Sequence, residues 1–331
     1  MTRGKIFINV RDNLDIHIIT EGLEKNGFTY ERGFISSTDE ESTIRYCKDC
    51  IGVISGVEPW NERTLSAVKD KVRMIIRYGT GYNNIDLVAA RRHGIAVFNA
   101  AGMNAASVAE LALLHILNAN RKFSVGIELA KIGQYNILDT ECFELDGKTV
   151  GLYGAGAIAR NLARMLMGFH VKKYAYDVVE NEAIKQYGVM FVNSPEELFS
   201  ISDIVSIHIP LLPTTKGIVN KRLLSLMKPN AILINTSRGQ VINEEDLLYF
   251  LKNKKIRAAG LDVLCNEPIS RIDPLVLQEN AYVTPHIAAS SFESKVRTEH
   301  CLYKTITDFF DGKYEVQFPP NYLNPPIQAN K

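Results

Sequence analysis

Three side chains of the kind that anchor an anion or move a proton stand just past apolar runs in the second half of the chain: Arg238 in INTSRGQVI, Glu267 in GLDVLCNEP and His286 in VTPHIAAS. In an open α/β sheet the ligand crevice lies outside the carboxyl ends of the strands, so three such positions can converge on one substrate. Taken singly, an arginine at a strand end is usually a surface ion pair, and a histidine fixed after a proline such as Pro285 is usually a turn residue. It is the recurrence of the placement that points to chemistry.

A second constellation lies upstream, in VGLYGAGAIARNLARML. Gly154, Gly156 and Ala159 spell G-x-G-x-x-A straight after a strand-like run and at the start of a helical pattern, the context that the dinucleotide fingerprint requires. The first glycine permits a tight turn, the second lets the backbone approach a pyrophosphate, and the small third residue lets helix and strand pack closely. The helix N-terminus then offers unpaired N–H groups and the positive end of its dipole to the phosphates. Asp177 ends the next strand-like run, KKYAYD, about 20 residues beyond the turn, where a carboxylate accepts the adenosine ribose hydroxyls. It would repel a 2′-phosphate, and Val178 and Val179 supply no arginine to receive one, so NAD is expected over NADP. A bound nicotinamide makes hydride transfer the reaction to expect, with one group to anchor the substrate and another to move a proton.

The elements that must position these residues read as strands and helices in alternation. Apolar runs KIFINV, IGVIS, VRMIIR and IAVF are expected as buried parallel strands in the first hundred residues, with helices over Leu14 to Lys25 and Ile85 to His93, the latter closed by Gly94. One long helix follows residue 100, with Ser107 and Glu110 in capping-box spacing. From Lys148 the alternation resumes through KTVGLYG, KKYAYD, VMFV, DIVSIHI, NAILINTS, IRAAGLDV and AYVTP, seven strands for a doubly wound sheet, before a helix over Ser290 to Phe310 and a tail rich in Pro and Asn. The fold class is therefore α/β, and 331 residues are enough for two cores.

Composition narrows the function. Lys and Arg number 38 against 37 Asp and Glu, with no block of like charge, which gives no support to a nucleic-acid or membrane-surface partner. The apolar stretch near the N-terminus is too short for a signal-peptide core, and no run approaches a membrane span. Five cysteines, an odd count, argue against a disulfide framework and for a reducing, cytoplasmic compartment. The CKDC pair, Cys47 and Cys50, has no second CxxC and no nearby histidines, so no metal site is expected.

With these motifs in place, the chain resembles the D-isomer-specific 2-hydroxyacid dehydrogenase family along almost its whole length. GVEPWNERTL, RYGTGYNNIDL, SVAELAL, ELDGKTVGLYGAGAIAR, SIHIPLLPTTKGIVN, MKPNAILINTSRGQVINEEDL, AAGLDVLCNEP and VTPHIAA form a highly specific set. The resemblance implies two Rossmann-like domains with parallel sheets. A flavodoxin-like substrate domain takes residues 1–101 and 288–331, and an inserted NAD-binding domain takes 102–287. It further implies that Arg238 binds the carboxylate and carbonyl of a 2-keto acid, that His286 gives its proton to the developing alkoxide, and that Glu267 holds and charges that histidine. An imidazole beside a carboxylate and an arginine fork suit those roles. The loop Arg77, Tyr78, Gly79, Thr80 and Gly81 is implied to meet the substrate, with the Thr80 and Gly81 amides on its carboxylate and hinge closure excluding water. Cofactor contacts carried over are Gly154, Gly156, Ala157, Ile158, Asp177, His208, Pro210, Thr236, Ser237, Asp262 at the nicotinamide amide, and Ala288. A homodimer built through the nucleotide domain and the long helix is implied as well.

Departures from the family pattern bear on the substrate. ISGVEPW lacks the phosphate-binding arginine that many 3-phosphoglycerate dehydrogenases carry there, which disfavours a phosphorylated acid, although Arg77 is placed to hold a distal anion. The chain ends without the regulatory extension some of those enzymes carry. Glu267 itself disfavours formate oxidation. Two other readings remain: an NAD-sensing binding protein like the family's transcriptional corepressors, and a phosphite dehydrogenase.

Overall fold

The computed structural model describes residues 2–135, 142–314, 317 and 319–326 of the 331. The chain divides into two units, Met1–Asn104 with Phe292–Lys331, and Ala105–Ser291. The divisions fall where the helices Ala105–Arg121 and Phe292–Phe310 begin, against sequence expectations of a break after 101 and another after 287.

The first unit is built on β1 (Gly4–Asn9), β2 (Phe28–Gly33), β3 (Gly52–Ser55), β4 (Met74–Arg77) and β5 (Ala96–Phe98). They pair in parallel in the order β2-β1-β3-β4-β5, the flavodoxin-like order. Helices on both faces bury β3 to β5, which is why these strands read as unbroken apolar runs. β2 was not among the expected strands: FTYERG is polar because it is the sheet's edge, with only Phe28 fully buried. The helix expected from Ile85 runs from Leu87 to Arg92, because Asp86 caps it by accepting from the amides of Val88 and Ala89. Gly94 leaves it at φ +69°. Cys47 and Cys50 lie in this unit's core, where burial pushes the Cys50 thiol up to about 11 and the Cys47 thiol higher.

The second unit carries all seven expected strands: β6 (Thr149–Tyr153), β7 (Lys172–Tyr176), β8 (Val189–Phe191), β9 (Ile204–Ile207), β10 (Ile232–Asn235), β11 (Ala258–Leu261) and β12 (Ala281–Val283). They pair in parallel in the order β12-β11-β10-β9-β6-β7-β8. Strand order therefore reverses beside β6, whose neighbours are β7 and β9, and in open α/β sheets ligands bind beyond the strand ends at such a switch point. The helix Ala105–Arg121 packs Ala109, Ala112, Ile116 and Ala119 into the core on one face of this sheet. Its N-terminus differs from expectation. Ser107 is inside the helix and its hydroxyl donates to the Ala288 carbonyl at 2.7 Å, so it forms no capping box with Glu110.

Candidate active site

The glycine turn follows from the crowding on one side of it and the openness on the other. Gly154 leaves β6 at φ +101°, and a Cβ there would lie 2.8 Å from the His208 carbonyl carbon, so only glycine lets β6 turn this close to the end of β9. Gly156 begins the helix Ala157–Met165 with no side-chain cap, and a Cβ built on it meets nothing within 4 Å. The helix thus presents uncapped N–H groups to open space, the arrangement that receives a phosphate. Ala159 is fully buried against the sheet, as the third position of the fingerprint requires. Asp177, just past β7, closes the turn from the far side. Its carboxylate accepts from the Ala155 amide at 2.7 Å and from the Val178 amide at 2.7 Å.

Around this turn the buried polar inventory is incomplete without a ligand. Neither ring nitrogen of His208 has a hydrogen-bond partner among the described residues, nor does the Thr236 hydroxyl. Burial pushes the His208 ring down to about 4, which keeps it neutral near pH 7. Buried polar groups are normally satisfied, so orphaned groups at the ends of β9 and β10, beside an uncapped helix start, fit a dinucleotide. Ile158 lies half-buried in the first helical turn, and Pro210 is exposed just beyond β9. The Ser237 hydroxyl donates to Asn235 Oδ1 at 2.8 Å.

Arg238, Glu267 and His286 follow β10, β11 and β12, three adjacent strands. Half-buried Arg238 leads into a short 3-10 turn at Gly239, where a Cβ would stand 2.0 Å from the Leu264 carbonyl carbon. Glycine there lets the loop after β10 lie flat on the loop after β11. Two further bonds knit them: Gln240 Nε2 donates to the Cys265 carbonyl at 2.9 Å, and the Cys265 amide to Glu244 at 2.6 Å. The guanidinium donates to the Ser237 carbonyl at 2.7 Å.

Glu267 and His286 meet directly. Glu267 Oε2 lies 2.7 Å from His286 Nδ1, while Oε1 accepts from the Leu264 amide at 3.3 Å. Nδ1 is turned to the carboxylate, and the ring as a whole is half-exposed. The backbone of His286 sits at φ +52°, a left-handed conformation uncommon for a residue with a Cβ, and its amide donates to the Asp262 carbonyl at 2.9 Å. Asp262 itself is fully buried. Its Oδ1 accepts from Thr284 Oγ1 at 2.6 Å and from the Ile287 amide at 2.9 Å, and its Oδ2 from the Ala288 amide at 2.8 Å. This carboxylate, expected at the nicotinamide amide, also holds the segment that carries His286.

In the first unit, the expected substrate loop is pinned at both ends. The Tyr78 amide donates to the Ser55 carbonyl, the Ala100 amide to the Gly79 carbonyl, and Asn99 Nδ2 to the Thr80 carbonyl at 2.8 Å. Gly79 adopts φ +126°. Arg77 Nη1 donates to the carbonyls of Tyr78 and Ser55. The Tyr78 hydroxyl points inward and donates to Glu299 Oε1 at 2.9 Å, and burial together with that carboxylate pushes the phenol well up. Glu299, fully buried and also bonded to Lys295 Nζ at 3.0 Å, was not singled out by sequence.

A doubly wound parallel sheet, a glycine turn with its acidic partner, and a carboxylate–imidazole pair beyond the strand ends together define a dinucleotide-dependent oxidoreductase. Residues 113–288 match the D-isomer specific 2-hydroxyacid dehydrogenase NAD binding domain. The chain is 32% identical over 312 residues to a hydroxypyruvate reductase of Blautia hydrogenotrophica, covering 92% of this chain and 94% of that one. It is 37% identical over 227 residues to a D-3-phosphoglycerate dehydrogenase of Methanocaldococcus jannaschii, covering 68% of this chain and 43% of that protein. The apo-structure of D-lactate dehydrogenase from Escherichia coli is similar at a TM-score of 0.82 and 27% identity, over 96% of this chain and 99% of that one. The chain belongs to the D-isomer-specific 2-hydroxyacid dehydrogenase family. It is an oxidoreductase that links a nicotinamide dinucleotide to the interconversion of 2-keto and 2-hydroxy acids.

Proposed function

We propose that this enzyme reduces an unphosphorylated 2-keto acid to the D-2-hydroxy acid with NADH, Arg238, Glu267 and His286 carrying the chemistry. The observation that carries the assignment is the 2.7 Å contact between Glu267 and His286 Nδ1. When bound, the nicotinamide supplies the hydride. Arg238, always charged, holds the substrate carboxylate and carbonyl oxygen in its fork. His286 Nε2–H gives its proton to that oxygen as it becomes an alkoxide, and Glu267 stabilises the protonated ring until then. Hydride on carbon and proton on oxygen complete the alcohol. The Arg77 to Gly81 segment supplies the remaining substrate contacts in this reading, through the Thr80 and Gly81 amides. Ala157, Ile158, His208, Pro210, Thr236 and Ala288 are assigned to the dinucleotide with the glycine turn.

Asp177, which accepts the Ala155 amide at the turn, supports NAD over NADP, since a carboxylate at the end of this strand repels a 2′-phosphate. The absence of an arginine from ISGVEPW supports an unphosphorylated substrate. A homodimer through the second unit is part of the proposal, supported by the exposed apolar side chains Leu114, Phe123, Ile127, Ile132 and Tyr135 on and after the helices Ala105–Arg121 and Phe123–Lys131. A cytoplasmic location is supported by Cys47, Cys50, Cys142, Cys265 and Cys301, all free thiols. No helix among the described residues is long and apolar enough to cross a membrane.

The test is oxidation of NADH and NADPH, followed by absorbance, against glyoxylate, hydroxypyruvate, pyruvate, 2-ketoisocaproate, phenylpyruvate and 3-phosphohydroxypyruvate. Turnover of unphosphorylated members with NADH is expected. Turnover confined to 3-phosphohydroxypyruvate would overturn the substrate class. Silence across the panel with NADH bound would move the assignment to phosphite oxidation or to a binding role.

A further inference from the structure

We infer that His115 is a positioning residue for the catalytic loop: through Thr284 and Asp262 it holds residues 284–288 in the conformation that presents His286. The inference rests on His286 being the acid, as proposed above. His115 lies on the helix Ala105–Arg121, and its ring is pressed on the backbone of β11, where a Cβ on Gly260 would come 2.8 Å from the His115 Cβ and 3.0 Å from Cγ and Nδ1. That packing aims Nε2 at Thr284 Oγ1, 3.0 Å away.

The direction of each bond in the relay is determined. Both oxygens of Asp262 already accept backbone amides, from Ile287 and Ala288, and Thr284, with one hydroxyl hydrogen, donates to Oδ1 at 2.6 Å. The hydroxyl must then accept from His115, which requires the tautomer with hydrogen on Nε2. Burial lowers the His115 pKa against a smaller opposing pull from Asp262, consistent with a neutral ring. Asp262 distributes the constraint. Its carboxylate accepts from the Ile287 and Ala288 amides, and its carbonyl from the His286 amide. The same helix grips the far end of the segment, where the Ser107 hydroxyl donates to the Ala288 carbonyl at 2.7 Å. Two polar side chains about two turns apart on one helix thus tether residues on either side of His286. They account for how a non-glycine residue is kept at φ +52°, a conformation that persists only when its surroundings over-determine it.

The experiment compares His115→Leu, His115→Gln and Thr284→Val with the parent enzyme and with His286→Gln. Three quantities are read: kcat and KM for the keto acid, NADH affinity by fluorescence, and hydrogen exchange of the 284–288 amides by mass spectrometry. His115→Leu and Thr284→Val should each lower kcat by about 10- to 100-fold, the scale of a misplaced catalytic group. KM and NADH affinity should stay within about 2-fold, the segment's amides should exchange faster, and the double variant should lose no more than either single one. His115→Gln, which can offer an N–H to Thr284, should recover most of the rate and the protection. Unchanged exchange and kcat in both His115→Leu and Thr284→Val would overturn the inference. Equal impairment of His115→Leu and His115→Gln would also overturn it, reducing His115 to a packing residue. Should His115→Leu not fold, Thr284→Val, nearly isosteric, carries the test. Failure of the underlying assignment shows separately, as retained turnover in His286→Gln, while the exchange measurement still reports on the tether.

Discussion

His286 and Glu267 meet at 2.7 Å, Nδ1 to Oε2, from loops that follow adjacent strands and lie 19 residues apart in sequence. The contact selects which ring nitrogen is left for a substrate. His286→Gln keeps a polar group but removes the transferable proton, so kcat should fall by about 100-fold or more, as loss of a general acid costs. Stopped-flow reduction of a keto acid by NADH measures this directly, and near-normal turnover would refute the assignment.

Arg238→Lys tests geometry against charge. A lysine keeps the positive charge and loses the fork, and the loss of a charge-assisted bond of about 1.5–3 kcal/mol corresponds to roughly 10- to 100-fold in kcat/KM for the keto acid. Undiminished kcat/KM would remove Arg238 from the substrate site.

Asp177→Ala addresses cofactor choice. With the carboxylate gone from the turn, affinity for NADH should weaken while that for NADPH holds or improves, read as a ratio of dissociation constants by fluorescence titration. The substitution also frees the Ala155 amide, so the glycine turn should show raised hydrogen exchange. An unchanged ratio counts against Asp177 as the selector.

The two glycines of the turn should respond oppositely. Gly154→Ala places a methyl 2.8 Å from the His208 carbonyl carbon at φ +101°, and should lower the thermal midpoint of the second unit by the equivalent of at least about 1–3 kcal/mol. Gly156→Ala meets open space, so stability should change by less than about 1 kcal/mol while NADH binding weakens. Differential scanning calorimetry with and without NADH separates the two effects.

His208 should shape the acid limb of stability. Its ordinary pKa of 6.5 applies to the unfolded chain and about 4 to the folded one, so unfolding takes up a proton in that window. The corresponding stability is fully present above pH 6.5 and is lost as the pH falls toward 4, by up to about 3 kcal/mol. In the apo-protein, His208→Phe should therefore lose less of its thermal midpoint between pH 7 and 4.5 than the parent does. Parallel curves would contradict the buried, neutral ring.

What was legible in the sequence shares one property: it is written in local periodicity or in residues with no substitute. The central strands of the second unit, β6 and β9 to β11, are near-continuous apolar runs because helices cover both faces of the sheet. The G-x-G-x-x-A turn is readable because φ +101° and a 2.8 Å approach admit only glycine at Gly154. Arg238, Glu267 and His286 announce themselves by their common place past a strand. β2 escaped because an edge strand carries polar residues and loses its alternation. Ser107 sat in capping-box spacing, but its hydroxyl found the Ala288 carbonyl, a partner 181 residues away that no local pattern reveals. Asp262, expected at the cofactor, also holds the 284–288 segment, a role that no local pattern reveals. His115 on its helix resembled any histidine until tertiary packing set it 3.0 Å from Thr284. Hydrogen bonds are directional and short, so which donor meets which acceptor across the sheet is decided only when helix, strand and loop are packed in three dimensions.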